Sequence, residues 1–350
     1  MRRTTITSKV VAEKAGVSRS AVSRCFTPGA AVSDKTRAKV LAAASELGYQ
    51  PNALARTLIY GKSKIVGLVV GYFSNPFYPQ AVELLSNELS ANGYHVLLFF
   101  SSSESNDSIV NQMLQYQCDV AILMSTTLSS SLHRALDQQS IPTILFNRID
   151  NLGHGASVTA DNFKGGYAIG EYLCAKGPER IVYIAGLEES STNHDRKDGF
   201  LTALRTHNRS LYSEIPGDYD EIKAARLVKA LFDAPDPSPD AIFVANDHMA
   251  YAVMDMIRYD LELDIPGDVL VVGFDDAPPS AWPSYSLTTY SQPLKPMVRA
   301  TIQIFQALVE KSPQVIQNQA VPGRLIERNS SRRDRNRDPK YGGAKFSFRL

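Results

Sequence analysis

Arginine and serine side chains are concentrated between residues 18 and 24 of this 350-residue chain. The spacing of Arg19, Ser20 and Arg24 predicts that they project from the first turns of one short helix. An arginine can donate two hydrogen bonds to the edge of a guanine in the major groove of DNA. Other side chains nearby are expected to touch phosphates, which set the register without carrying sequence information. The residues expected at phosphates are Ser18, Ser23 and Lys35.

Polar residues also follow several apolar, strand-like segments later in the chain. Asn147, Asn246 and Asp275 each come at the end of such a segment. Ligands in open α/β sheets bind at the carboxyl ends of the strands, so these side chains are candidates for a binding site. Phe77 and Tyr78 follow the first of these segments and could cover the flat apolar face of a sugar or a base.

Each of these groups has a structural alternative. The basic residues near the N-terminus could form the solvated face of a three-helix bundle, because charge runs are usually solvated surfaces. The polar residues after the strands could cap the helices that follow. For Asp247 and Asp276 this capping role is as good an interpretation as ligand binding.

Motifs of common enzymes and metal sites are not found in the sequence. It has no G-x-G-x-x-G after a strand, no P-loop, no G-x-S-x-G and no HExxH, which argues against an enzyme. Its three cysteines form no CxxC, and its histidines lack the spacing of metal ligands. We therefore expect no cofactor and no metal.

The elements that must position the first group are three short helices within residues 1–50. Val10, Val11 and Ala15 share one helical face, which Gly16 ends. Ser18 is a good N-cap for a second helix. A third helix begins after Ser33 and ends at Gly48. Helix, glycine-containing turn and serine-capped helix are the features of a helix-turn-helix.

From Ile65 the pattern changes to short apolar strands that alternate with helix-period segments. Such alternation favours two doubly wound, parallel-sheet α/β subdomains. The predicted strands are Ile65–Val70, His95–Phe100, Val120–Met124, Thr143–Phe146, Ile181–Ala185, Ala241–Val244 and Val269–Val272. Residues 329–350 form a basic stretch that cannot bury a core, and we expect it to be disordered.

Charge is distributed unevenly, although the chain as a whole carries only +1. Residues 1–64 carry a net +9, residues 324–350 a net +6, and the residues between them a net −14. This asymmetry indicates a polyanion-binding end joined to a different kind of domain. The longest apolar run, residues 65–73, is too short to span a bilayer, and no secretory signal follows the basic start.

The sequence of the N-terminal region resembles that of the LacI/GalR family of bacterial transcription regulators. VAEKAGVSRSAVSRCF carries the family's VAxxAGVSxxxVSR, and its ELGYxPNxxAR block follows at the expected distance. The resemblance extends to about Arg328. Val10 departs from the family's usual polar residue, and Ser284-Tyr285-Ser286-Leu287 replaces its usual Pro-Pro-Leu.

The resemblance implies that residues 51–62 are a hinge helix and linker. Residues 51–58 are too few to form a stable helix in water alone, so this segment could be unfolded off DNA and folded on it. By position, Leu58 corresponds to the leucine that wedges into the minor groove in the family, where Asn52 and Ala55 would also contact DNA. The alternative for the leucine is simple core packing.

Residues 63–328 resemble the family's periplasmic-binding-protein-like domain for effector binding and dimerisation. The resemblance implies two subdomains joined by crossovers near residues 162, 291 and 322. STNHDRKDGF resembles STxxxRxxGF, which makes Arg196 the effector-gripping arginine. Asn162 is expected either to contact ligand or to brace the following helix. The expected effector site is Phe77, Tyr78, Asn147, Arg196, Asn246 and Asp275.

The function implied is a sequence-specific DNA-binding repressor. As a homodimer it would bind palindromic operator DNA, under the control of a small-molecule effector such as a sugar or related metabolite. The expected location is the bacterial cytoplasm, on the nucleoid and with no membrane partner. The alternative function is a solute-binding receptor without a regulatory role, which the lack of a secretory signal disfavours.

Overall fold

The structure is a computed structural model that describes residues 6–27, 29–49, 63–101, 106–124, 130–149, 155–310 and 318–332. The chain divides into two compact units, Met1–Ser63 and Lys64–Leu350. The hinge expected at residues 51–62, with Asn52, Ala55 and Leu58, lies outside the described residues.

Three helices form the first unit. They are α1 (Ser8–Ala15), α2 (Arg19–Cys25) and α3 (Asp34–Leu47). Gly16 and Gly48 end α1 and α3 in the left-handed conformation that glycine adopts without strain. Ser18 and Ser33 cap α2 and α3, since each side chain accepts a hydrogen bond from a first-turn N–H. The helices and caps predicted from the sequence are therefore present.

A small apolar core holds these helices together. Its buried members are Val11, Ala12, Val22, Cys25, Val40, Ala43 and Ala44. Arg37 adds a polar link, because its guanidinium donates to the main-chain oxygens of Cys25 at 2.8 Å and Ala30 at 3.4 Å. One of the basic residues of this unit thus supports the fold directly.

Half A of the second unit is built on a six-stranded parallel sheet. Its strands are β1 (Ile65–Val70), β2 (His95–Phe100), β3 (Val120–Met124), β4 (Thr143–Phe146), β5 (Ala156–Ala160) and β11 (Asn318–Val321), in the order β11-β5-β4-β3-β1-β2. Its helices are α4 (Phe77–Ala91), α5 (Asn106–Gln115), α6 (Ser130–Gln138) and α11 (Leu294–Val309). Leu85 and Phe305 belong to one apolar cluster, and Met113 and Leu136 belong to another.

Half B is built on a second six-stranded sheet. Its strands are β6 (Ile181–Ala185), β7 (Ser213–Pro216), β8 (Ala241–Val244), β9 (Leu270–Asp275), β10 (Thr288–Ser291) and β12 (Arg324–Ile326), in the order β12-β10-β9-β8-β6-β7. Its helices are α7 (Asn162–Lys176), α8 (Ser191–Thr206), α9 (Glu221–Asp233) and α10 (Asp247–Asp255), which a π-helical turn, Met256–Asp260, extends. Only β12 pairs antiparallel within this described sheet.

The predicted fold class is confirmed, and all seven predicted strands are present. The last of them begins at Leu270 rather than Val269. Most strands are continuously buried, as expected for parallel sheets covered on both faces. The chain passes between the halves after β5, after β10 and after β11. No described helix is both long and apolar enough to cross a membrane.

The ordered chain extends further than the sequence indicated. Disorder was expected from residue 329, but Asn329–Ser331 form a 3-10 turn in which Ser330 and Ser331 are buried. The hydroxyl of Ser330 donates to Val271 O and accepts from the N–H of Thr288, and the hydroxyl of Ser331 lies 2.6 Å from that of Thr288. A small polar side chain is buried here because half B supplies its hydrogen bonds. Nothing beyond residue 332 is described.

Candidate functional site

The exposed face of α2 gathers the DNA-contact residues predicted from the sequence. Arg19, Ser20, Ser23 and Arg24 are all exposed, whereas Val22 and Cys25 face the core. Ser18 and Lys35 are exposed at the starts of α2 and α3. The hydroxyl of Ser18 also caps α2, because it accepts a hydrogen bond from the main-chain nitrogen of Ala21 at 3.2 Å.

Charge on this face is not neutralised by neighbouring acids. Glu13 and Glu46 of the first unit pair with Lys9 and Lys14. Within the described part of the chain, no carboxylate pairs with the arginines of α2. A helix with two unneutralised arginines on its exposed face is suited to meet phosphates and guanines.

The second unit contains a partly open cavity between its halves. The lining residues are Tyr72, Asn75, Tyr78, Asn147, Thr192, Arg196, Tyr219, Asn246 and Asp275. The first four belong to half A and the rest to half B. Five of the six predicted effector residues therefore meet at one cavity, at the carboxyl ends of the strands as predicted.

Phe77 is the sixth predicted effector residue, and the structure places it elsewhere. Its side chain is buried in the apolar core of half A and is not part of the cavity wall. Phe77 and Tyr78 are consecutive in the first turn of α4, so they point in different directions, and only the ring of Tyr78 reaches the cavity.

Arg196 is held on several sides. Its Nε donates to the side-chain oxygen of Asn162 at 2.9 Å, and its Nη1 donates to Ala245 O at 2.6 Å. Its Nη2 lies 3.6 Å from Oδ1 of Asp275, and both side chains are 2 % exposed. Asn162 thus braces the arginine from the crossover.

Glycine contacts between α7 and α8 set the position of Arg196. A Cβ on Gly166 would lie 1.9 Å from the main-chain oxygen of Arg196, and a Cβ on Gly199 would lie 2.0 Å from that of Phe163. Any larger residue at Gly166 or Gly199 would push the helices apart.

Asp275 accepts hydrogen bonds from two side chains besides its ion pair with Arg196. Gln292 donates to Oδ1 at 2.7 Å, and Asn75 donates to Oδ2 at 3.3 Å. Burial raises the pKa of this carboxyl, whereas the neighbouring Arg196 lowers it. The backbone of Asp275 has a φ of 134°, which L-residues rarely adopt, and its side chain lines the cavity.

Asp247 supports the site without lining the cavity. Its fully buried carboxylate accepts hydrogen bonds from the N–H of Ala277 at 3.0 Å, Ser280 at 2.6 Å and Thr289 at 2.7 Å. Burial and the nearby charge of Asp275 raise the pKa of Asp247 to about 7. Asp276 instead pairs with Arg328 at 2.6 Å. Both residues therefore have structural roles.

Four lining residues were not proposed from the sequence: Tyr72, Asn75, Thr192 and Tyr219. Tyr72 and Asn75 follow β1, so their position at a strand end was the available signal. Thr192 lies in the segment that carries Arg196. Tyr219 follows β7, a strand that the sequence did not reveal.

The chemistry of the cavity is that of binding rather than catalysis. Burial raises the pKa of Tyr72 and of Tyr78, so both keep their phenolic protons as donors. Among the described residues, no group of three or more His, Cys, Asp or Glu side chains could hold a metal ion. Amide, phenol and hydroxyl groups with one ion pair are suited to a small polar ligand.

Comparisons with known proteins agree with this architecture. Residues 7–52 match the family model for bacterial regulatory proteins of the lacI family, and residues 171–331 match a periplasmic binding protein-like domain. The relative "HTH-type transcriptional repressor PurR" of Pectobacterium carotovorum is 30% identical over 293 residues, covering 82% of this chain and 85% of the relative. The ribose operon repressor of Escherichia coli K12 is 27% identical, covering 93% and 99%.

A solved structure extends the likeness to three dimensions. The lac repressor dimer bound to operator and the anti-inducer ONPF superimposes with a TM-score of 0.83 at 26% identity, covering 93% of this chain and 99% of that one. Fold, cavity and relatives together define a helix-turn-helix regulator with a periplasmic-binding-protein-like domain. The chain belongs to the LacI family of bacterial regulatory proteins, whose members among these relatives are repressors and not enzymes.

Proposed function

We propose that the protein is a transcriptional repressor that binds operator DNA as a homodimer and responds to a small molecule in the cavity. The observation that carries the proposal is the exposed face of α2, where Arg19 and Arg24 stand without acidic partners among the described residues. Two exposed arginines five residues apart on one short helix suit the major groove, with Ser20 between them. The lac repressor structure, a dimer on operator, supports the same assembly.

The remaining DNA contacts belong to the same proposal. Ser18, Ser23 and Lys35 would contact phosphates and set the register of the reader helix. In the hinge, Asn52 and Ala55 would contact DNA, and Leu58 would enter the minor groove at the operator centre. An apolar wedge costs a few kcal/mol of unstacking, which the extra contacts of bent DNA offset.

The charge of the cavity supports an uncharged effector. Arg196 and Asp275 are its two charged lining groups, and they offset each other. An added anion or cation would leave one charge unbalanced in a buried site. A ligand hydroxyl can instead donate to the side-chain oxygen of Asn147, a buried atom without a partner in the described structure. A sugar or similar polyhydroxylated metabolite meets these conditions, and one relative is named as a ribose operon repressor.

DNA binding is tested by fluorescence anisotropy with the region upstream of the protein's own gene. We expect tight binding that weakens steeply with salt, and much weaker binding to a scrambled fragment of equal length. Equal affinity for both fragments would exclude sequence-specific regulation. A thermal-shift screen that pairs neutral sugars with their acids and phosphates tests the effector class.

A solute-binding receptor is the second candidate, favoured by the cavity and by the match to a periplasmic binding protein-like domain. The two candidates differ in one measurable respect. A regulator changes its DNA affinity when its ligand is added, because the ligand binds the DNA-competent and DNA-incompetent states unequally. A receptor does not. We place the repressor in the bacterial cytoplasm, where its operator is.

A further inference from the structure

Tyr72 links the two halves of the second unit. It follows β1 of half A, yet its side chain packs against the apolar cores of both halves. Its ring lies 5.4 Å from the ring of His248 and 6.3 Å from the ring of Tyr219, both in half B. Its hydroxyl donates to the main-chain oxygen of Tyr219. A side chain of half A is thus inserted into half B.

Asn75 forms a second bridge three residues later. Its Nδ2 donates to Oδ2 of Asp275 in half B at 3.3 Å. Its Oδ1 accepts from the N–H of Phe77 at 3.0 Å, which fixes the amide at the start of α4. The amide is 3 % exposed, so this hydrogen bond forms away from bulk water, where it is stronger.

We propose that Tyr72 and Asn75 form a latch that holds the halves of the cleft together through the protein's own hydrogen bonds. The latch occupies the cavity wall. Because Asn75 takes one oxygen of Asp275, any ligand that donates to that oxygen competes with half A for it. Tyr72 and Asn75 are therefore positioning residues that set the balance between closed and open cleft.

The latch does not depend on the proposed function, since it concerns the cleft with no effector or DNA added. Its test can fail while repression holds, and repression can fail while the latch holds. A small energy is enough: two hydrogen bonds of about 1 kcal/mol each would change the ratio of closed to open cleft roughly thirtyfold.

Pulsed electron spin resonance on the full chain measures the closure directly. Spin labels are placed on Gln80→Cys in half A and Glu188→Cys in half B, both exposed, with Cys174 replaced by Ser. Labelled chains are diluted with unlabelled protein, so that a dimer carries no more than one labelled chain. We expect one narrow distance with the latch intact, and a second, longer distance in the double variant Tyr72→Phe, Asn75→Ala.

Matched substitutions within single halves provide the control. Tyr212 donates its hydroxyl to Pro237 O inside half B, and Asn92 donates its amide to Glu88 O inside half A. The double variant Tyr212→Phe, Asn92→Ala is expected to keep the single short distance. If the latch variant shows the same distribution as this control, the latch is refuted. If the double variant unfolds, the single variant Tyr72→Phe, which removes one oxygen atom, takes its place. Its distance distribution is then compared with that of the control.

Discussion

The guanidinium carbon of Arg196 lies 3.7 Å from the ring centre of Phe274. Phe274 precedes Asp275 in β9, so consecutive residues of one strand hold the guanidinium, one through its ring and the other through its charge. Such a cation–π contact is worth about 2 kcal/mol when desolvated. Arg196 is consequently fixed before a ligand arrives, which lowers the entropy that binding must overcome.

We expect Arg196→Ala to abolish the effector response while leaving DNA binding intact, because the cavity loses its fixed donors but the first unit is unchanged. Arg196→Lys should also fail, since an ammonium cannot reproduce the planar fork. The measurement is operator affinity with and without effector. Arg205→Ala, at an exposed site on the same helix, is the control and should respond normally. A normal response in Arg196→Ala would place the effector elsewhere.

Arg19→Ala or Arg24→Ala should relax base preference by about 1–3 kcal/mol at the affected base pair. The reason is the loss of a bidentate contact rather than of charge alone. The measurement is the affinity of each variant for a set of operators that differ from one another by a single base pair. Lys39→Ala removes a charge at an exposed site of α3, and we expect it to leave the preference unchanged. Unaltered preference in both arginine variants would refute the role of the α2 face.

Arg37→Met should weaken DNA binding by destabilising the three-helix unit and not by removing a base contact. It leaves the main-chain oxygens of Cys25 and Ala30 without their donors, at a cost of about 1–3 kcal/mol. Hydrogen exchange of the amides of α2 and α3 should accelerate, and operator variants should all be bound more weakly by the same factor. Lys39→Met is the matched control. Selective loss at one base pair would instead indicate a base contact.

Gly166→Ala should destabilise the second unit by about 1–3 kcal/mol, because the new Cβ collides with the main-chain oxygen of Arg196. The same shift should weaken effector binding. Thermal unfolding and effector titration test both effects. Lys164→Ala, at an exposed position of the same helix, should change neither by as much. A fully stable Gly166→Ala protein would contradict the tight packing of α7 on α8.

Asp247 predicts a dependence of stability on pH. Its pKa is raised to about 7 by burial and by the charge of Asp275, whereas an unfolded Asp titrates near pH 4. Between these values the folded chain keeps a proton that the unfolded chain has lost. This contribution to stability is therefore full below about pH 4 and is lost as pH rises through about 7.

The variant Asp247→Asn removes that dependence. We expect its free energy of unfolding, relative to the unmodified protein, to increase between about pH 4 and about pH 7 and to level off above. Denaturant unfolding at a series of pH values measures the difference. Asp233→Asn, an exposed carboxylate, should show no such trend. Parallel pH profiles for Asp247→Asn and the unmodified protein would disprove the shift.

The strands that could be predicted from the sequence are mainly those made of consecutive apolar residues. β1, with Ile-Val-Gly-Leu-Val-Val, needs no partner to be recognised. β10, with Thr-Thr-Tyr-Ser, is mostly buried but polar, and Asp247, Arg328 and Ser330 accept or supply its hydrogen bonds from distant parts of the chain. Such pairing is invisible in a local pattern, which is also why the burial of Ser330 was missed.

The cavity shows the same limit. Asn147, Asn246 and Asp275 could be predicted because each lies at the carboxyl end of a recognisable strand. Tyr219 could not, because β7 is only Ser-Glu-Ile-Pro. Choosing between Phe77 and Tyr78 required the rotation of α4, which depends on packing against the sheet rather than on residue type.

Residues 318–326 supply the last strand of both sheets, with consequences for synthesis on the ribosome. Before they emerge, half A ends at β5 and half B ends at β10, each an open edge able to pair wrongly. The three helices of the first unit lie within residues 8–47 and form their own apolar core, so they can fold before the second unit is complete. We therefore expect nascent chains with a finished first unit and two incomplete sheets, and a dependence on chaperones that ends only when the final strands are released.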